Sequence, residues 1–383
     1  MTATAFPSPR SAITAVYLSF GIAIGALAGS MPSVMRNAGI DAETFGLGLT
    51  ISTVLTVGAM SVGGQVARFA SNRAVLLAVL PCFALSLGAY LTAASPTWFF
   101  ITIPVMGFCF GLTDLFMNAE AVALEHDMKR PIFMTFHGGV SAGVGVMAVA
   151  ASWLSITSGT WAVAAVATIM FALSWLFVYR AIAPRPLAAG KAARMASLPN
   201  KTPLMLLGIA AGLIIAAETA ALLWSAKLLD EIAPSLAAIA GLGAAFFGLC
   251  NAAVRFPGDR MRSLLGEMPL MIASLIVSVC GFVALGLSKS FVVSVAAFAS
   301  VGFGLALLIP TIFTMSARLV PENRAGALSF VSLLTAVPRV MAPLAFGMVA
   351  ARLGTAFAFG LVAVGLLASL GLILTFKRKG HAA

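Results

Sequence analysis

Between Ala74 and Met106, and again between Ile132 and Phe177, the chain carries no Asp, Glu, Lys or Arg. A helix crosses the hydrocarbon core of a bilayer in roughly 20 residues, and both stretches exceed that length. Inside lipid every backbone donor and acceptor has to be satisfied locally, which the α-helix achieves within one segment. A helix apolar on all sides belongs in lipid or among other such helices, not on the half-wetted surface of a soluble domain. Only 9% of the 383 residues are charged and 61% are hydrophobic, so the same reading extends along the whole chain. The protein is expected to be an all-α polytopic membrane protein.

Apolar windows set off by charges and by Pro or Gly mark twelve spans, at about 11–34, 43–67, 74–94, 97–121, 132–156, 160–183, 203–226, 234–257, 267–287, 290–315, 326–350 and 354–376. The third and fourth nearly touch at Ala94-Ser95-Pro96, and their separation rests on length and the proline. The first span follows Arg10 as the core of a signal peptide would. Its apolar run is longer than such a core, so it is read as retained. Cys82, Cys109, Cys250 and Cys280 fall inside spans and read as small packing residues.

The formal charge of +11 raises the question of nucleic acid, and its placement answers it. With the N-terminus inside, eighteen of the 23 Lys and Arg fall on the cytoplasmic side. Arg36, Lys227, Lys289 and Arg352 fall outside, and Arg339 lies within a span. This is the positive-inside bias that orients membrane proteins. It places both termini in the cytoplasm and gives the basic residues a topological role, with a lipid bilayer and no nucleic acid as partner.

The longest interior polar segment, 184–202, separates residues 1–183 from 203–383, six spans from six. Each half carries a basic loop after its second span, GGQVARFASNR at 63–73 and RFPGDRMRSLLG at 255–266. Their spacing of half the chain points to a duplication of a six-helix unit.

Twelve spans in two six-helix halves, with a Gly-x-x-x-Asp-Arg-type loop in each half, resemble the major facilitator superfamily. That resemblance implies two pseudo-symmetric six-helix bundles, a monomer, and gating roles for Gly64, Arg68, Arg73, Gly258, Asp259 and Arg260. The copies depart from the pattern: Arg68 stands where Asp is usual, and Arg255 where the first Gly is usual. Asp114-x-x-x-Asn118, Thr135-Phe136-His137, Ser141-x-Gly143 and Glu218…Trp224-Ser225 resemble fucose-permease-like transporters, and more closely the YbjJ-like inner-membrane branch. Leu223 replaces an Asp common in that branch. The acid that fucose permeases carry four residues before a proline in the first span is Ala28 here.

Asp114 lies about 17 residues into the fourth span, so some 25 Å from its outer end at the helical rise. An acid at that depth costs several kcal/mol if ionised and unpaired, and is a candidate proton carrier. The plain alternative is an interior acid bonded to a neighbouring helix. Asn118 shares its face. Glu120, Glu125, His126 and Asp127 read as loop-end residues pairing with Lys129 and Arg130. His137 and Ser141, four residues apart on one face of the fifth span, are candidates for substrate contact or for helix packing. Gly138, Gly139, Gly143 and Gly145 read as sites of close helix approach.

Glu218 and Arg339 lie at similar depth and are expected to pair, with Glu218 a second proton-coupling candidate. Trp224, Asn251 and Arg339 are candidate substrate contacts. Tyr17, Phe20, Phe110, Trp175, Phe246 and Phe247 read as lining or, for most, as packing.

No Walker A loop occurs, and His126, His137 and His381 have no partner at metal-ligand spacing. No cofactor, metal or enzymatic site is expected. The reading is a secondary transporter in the cell (inner) membrane, driven by protons and taking up a small polar nutrient by alternating access. A sugar or polyol and a riboflavin-like vitamin both fit; an efflux pump and a non-transporting sensor are the alternatives.

Overall fold

The computed structural model describes residues 7–129, 132–184 and 201–378, and among them there are helices and turns only. The first half comprises α1 (Pro9–Ala38), α2 (Ala42–Val66), α3 (Asn72–Leu91), α4 (Pro96–Met128), α5 (Phe133–Thr157) and α6 (Thr160–Ala181). The second comprises α7 (Thr202–Leu223), α8 (Ser225–Ile232), α9 (Leu242–Arg255), α10 (Gly258–Leu265), α11 (Glu267–Leu287), α12 (Phe291–Leu305), α13 (Leu308–Leu319), α14 (Arg324–Leu353) and α15 (Thr355–Arg378). Eleven segments are long and apolar enough to cross a membrane, with α12 and α13 counted as one, and the shorter α9 supplies the twelfth. Most of the central linker and both chain ends lie outside the described residues.

Local chemistry sets the helix ends. Ser8, Ser71 and Ser95 each accept an N–H of the following turn, and Pro9 and Pro96 stand in the first turn, where a missing N–H costs nothing. Ser95-Pro96 therefore does divide the third span from the fourth.

Three spans of the second half are less regular than their composition suggests. The seventh is interrupted at Trp224, between α7 and α8. The eighth begins with a short 3-10 turn at Pro234–Ile239 before α9 takes over. The tenth breaks between Leu305 and Leu308. Its cause is legible: the carbonyl of Ala306 would be served by the N–H of residue 310, and Pro310 has none.

Within the first half, α1 lies against α5 along Gly21, Gly25 and Gly29. A Cβ on these residues would come within 2.2, 2.7 and 2.2 Å of the carbonyl oxygens of Val140, Val144 and Ala148, so the backbones touch. Of the glycines expected to serve this purpose on α5, Gly143 does so. Gly138 has nothing within 4 Å, and Gly139 and Gly145 have only ordinary contacts.

The two bundles meet through α2 against α14 and α5 against α9. They are sealed at the end opposite the chain termini. There a Cβ on Gly46 would fall 2.5 Å from the Pro343 oxygen, and one on Gly347 would fall 2.4 Å from the Ala42 oxygen. Thr50 donates to the Val340 carbonyl and accepts the Leu344 amide. Ser152 similarly donates to the Ala238 carbonyl and accepts the Gly241 amide. Arg36–Asp230 and Arg352–Glu43 ion pairs, at 2.7 and 3.5 Å, bridge the bundles with opposite polarity. Toward the other end Gly58 and Gly64 of α2 and Gly138 of α5 face open space.

Candidate functional site

A set of polar side chains from both bundles gathers inside this frame. On α4, one turn separates Asp114 from Asn118, and the Asn118 amide donates to the Asp114 carboxylate at 2.9 Å and to its carbonyl at 2.7 Å. The Asn118 oxygen accepts from the Tyr17 hydroxyl at 2.6 Å. Tyr17 is fully buried on α1, and its ring packs edge-on against His137 of α5, 5.3 Å between centroids. Four side chains from three helices are thus linked. Tyr17, one of only three tyrosines, joins this cluster through its hydroxyl.

His137 also sits against Phe133. Ser141 donates to the His137 carbonyl one turn back, a bond internal to α5.

The second bundle corrects one expectation. Glu218 of α7 does not pair with Arg339. Its ion-pair partner is Arg255, at the end of α9, with Nη2 3.4 Å from Oε1. The Arg255 Nε donates to the Ala306 carbonyl at 3.2 Å. Arg255 was assigned by the charge distribution to a cytoplasmic loop end; its long side chain reaches back into the bundle instead. Its sequence signal was the departure from glycine at that motif position.

Arg339 follows Pro338 on α14 and is half-buried. Among the described residues it makes no hydrogen bond or ion pair. Asn251 stands one turn before Arg255 on α9, 4% exposed, and its amide nitrogen has no hydrogen-bond partner among the described residues.

Other candidates fall elsewhere. Trp224 is buried between Phe45 and Phe346, with centroids at 5.6 and 4.7 Å, so in this conformation it packs in the seal and not beside the polar cluster. Trp175 donates to the Leu77 carbonyl and stacks on Tyr179; Phe246 is exposed and Phe247 lies against Gly302.

Glu120 is not a loop-end residue: it is 2% exposed and accepts from Asn72 at 2.9 Å. Glu125 accepts the amides of Ile132 and Phe133 at 2.8 and 2.7 Å, capping the start of α5 where the helix dipole favours an anion. Arg130 lies outside the described residues.

Among the gating candidates, Gly64 and Arg68 face outward, and Arg73 donates to the Tyr179 carbonyl, tying α3 to α6. Gly258 packs on Leu307, where a Cβ would meet the leucine at 2.5 Å. Arg260 is exposed, and the side chain of Asp259 lies outside the described residues.

An apolar pocket of about 250 Å³ opens between α7, α14 and α15, away from the ionisable cluster. A wider, charged one of about 710 Å³ opens at the seal beside Arg36 and Asp230.

No family model matches the sequence. An uncharacterized MFS-type transporter of Yersinia pestis is 27% identical over 361 residues, covering 91% of this chain and 90% of the relative. The membrane protein MosC of Rhizobium meliloti is 26% identical over 371 residues, covering 94% and 89%. Among solved structures, the nucleoside transporter NupG superposes with a TM-score of 0.74 at 14% identity, over 97% of this chain and 98% of that one. A D-xylose-proton symporter gives 0.74 at 16%, over 94% and 95%. The fold is that of the major facilitator superfamily, and fold and relatives together support a membrane transporter of MFS type.

Proposed function

We propose that the protein is a proton-coupled secondary transporter that takes up a small polar solute by alternating access. One observation carries this reading: each bundle holds an acid inside a span, Asp114 bonded to Asn118 and Glu218 paired with Arg255, while Arg339 of the second bundle makes no hydrogen bond or ion pair among the described residues. An ion held inside a membrane bundle without a partner costs several kcal/mol, a cost that packing alone does not require. Neutralising either acid with a proton changes which one Arg339 favours. In that way proton binding biases how the bundles sit against one another.

Around this centre Tyr17, Asn118, His137 and Asn251 carry hydrogen-bonding groups, and the two acids and two arginines balance in charge, with Glu218 and Arg255 in contact. Such a balanced, hydrogen-bonding lining suits an uncharged polyhydroxylated or heteroaromatic solute, a sugar, polyol or riboflavin-like vitamin. The superposition on a D-xylose-proton symporter and a nucleoside transporter is consistent with that class. The resemblance to the fucose-permease-like and YbjJ-like branch agrees with it too.

In this reading residues 1–183 rock against 203–383 about a site near the midplane, with 184–202 as linker. The chain works as a monomer in the cell (inner) membrane. The positive-inside bias puts both termini in the cytoplasm, so the sealed end faces outward and the site opens inward.

The test is reconstitution into liposomes with an imposed pH gradient and a panel of pentoses, hexoses, polyols and vitamins, with a pH dye in the lumen. A solute that moves protons with it is the expected result. Accumulation that survives a protonophore would remove the proton from the reading.

A further inference from the structure

The tenth span contains a break that nothing in its own sequence repairs. Pro310 withholds the N–H that would serve the Ala306 carbonyl, and α12 stops at Leu305. A carbonyl left open there must find another donor or water. It finds the Arg255 Nε at 3.2 Å. The same guanidinium reaches Glu218 through Nη2 at 3.4 Å. One planar, rigid fork therefore spans an acid on α7 and an open carbonyl in the tenth span.

The surroundings make this break a bend that can be held or released. On its α12 side the backbone is fixed: Gly302 lies against the Phe247 carbonyl of α9, where a Cβ would come within 2.2 Å, and Gly304 lies against Ser278 of α11. At the break itself, Gly258 of α10 packs on Leu307. Beyond it, α13 packs on α14, the helix that carries Arg339, and on α7. The charged groups facing Glu218 are Arg255 from α9 and Arg339 from α14; His137 of α5 faces Arg255 from the other bundle.

We propose that Arg255 is a positioning residue that couples the charge of Glu218 to the bend of the tenth span. With Glu218 ionised, the guanidinium is held at both ends and staples the Ala306 carbonyl. With Glu218 protonated, the fork loses its anionic anchor, the carbonyl is released, and α13 bends further relative to α12. The proposal deepens the transport reading and rests on Glu218 binding a proton.

The test needs neither solute nor gradient. With the native cysteines replaced, spin labels at Val292→Cys and Thr314→Cys report the end-to-end distance of the tenth span in nanodiscs. Glu218→Gln is expected to add a second, shorter distance population, and lowering the pH on the unsubstituted site should produce the same one. Arg255→Gln should do likewise, and the double variant should add nothing beyond the larger single effect. Pro310→Ala restores the missing N–H, so its distance should become insensitive to Glu218→Gln, a comparison that decides the matter even if Arg255→Gln does not purify. Superimposable distributions for Glu218→Gln and the parent, or additive effects of the two residues, would overturn the coupling. A shift with Glu218→Gln but none with pH would remove Glu218 as a proton carrier. A liposome assay without proton-coupled transport would refute the proposed function and leave this distance result standing.

Discussion

Arg255 reaches Glu218 with Nη2 3.4 Å from Oε1, and both side chains keep partial access to the surroundings, 33% and 27%. That access limits the strength of the pair. Losing a hydrogen bond to a charged group costs about 1.5–3 kcal/mol, and screening puts this one toward the lower end. Glu218→Gln and Arg255→Gln should each lower the melting temperature, and the double change should recover part of the loss. The coupling in this cycle should exceed that of Glu218 with Arg339. Equal coupling in a thermal-shift measurement would show that Arg339 competes for the acid on even terms.

Much of this arrangement was legible in the sequence, for reasons that differ from residue to residue. The twelve spans follow from hydrophobic length, and Asp114 with Asn118 follows from helical spacing. The partner of Glu218 did not follow, because depth along a helix says nothing of azimuth: Arg339 matches its level, while Arg255 has the reach. Glu120 was misplaced because a position near a span end looks wet until a neighbouring helix covers it. The break in the tenth span was readable from Pro310, but the donor that repairs it comes from another helix.

Asp114→Asn keeps the shape of the side chain and removes its proton. Proton-driven accumulation should fall to background, while solute counterflow, which needs no net proton movement, should persist. Accumulation at the parental rate would reduce Asp114 to a structural acid.

Tyr17→Phe removes the 2.6 Å hydrogen bond to Asn118 and leaves a partly buried amide oxygen short of a donor. The expected cost is about 1–3 kcal/mol, read by thermal shift. Since Asn118 also orients Asp114, the pH profile of transport should move as well; an unchanged profile with lowered stability would confine Tyr17 to packing.

Topology can be checked independently of transport. A reporter fused after Ala383 should behave as cytoplasmic and one placed at Ser288 as external. The reverse pattern would make the sealed end face the cytoplasm.

The seal offers a choice between two kinds of force. Arg36 and Arg352 are 51% and 66% exposed, and ion pairs so open to the surroundings contribute about 0.2–1 kcal/mol each. The glycine contact is of another order. At Gly46 a Cβ would lie 2.5 Å from the Pro343 oxygen, a backbone atom that moves only if α2 and α14 part. Overpacking of this sort costs about 1–3 kcal/mol. Gly46→Ala should therefore open the sealed end more than Arg36→Gln does. A cysteine at Thr50, with the four native cysteines replaced, provides the readout through an impermeant maleimide added from outside. Labelling should rise several-fold with Gly46→Ala and only slightly with Arg36→Gln. The reverse order would mean that the charges, and not the close backbone contact, hold the bundles together.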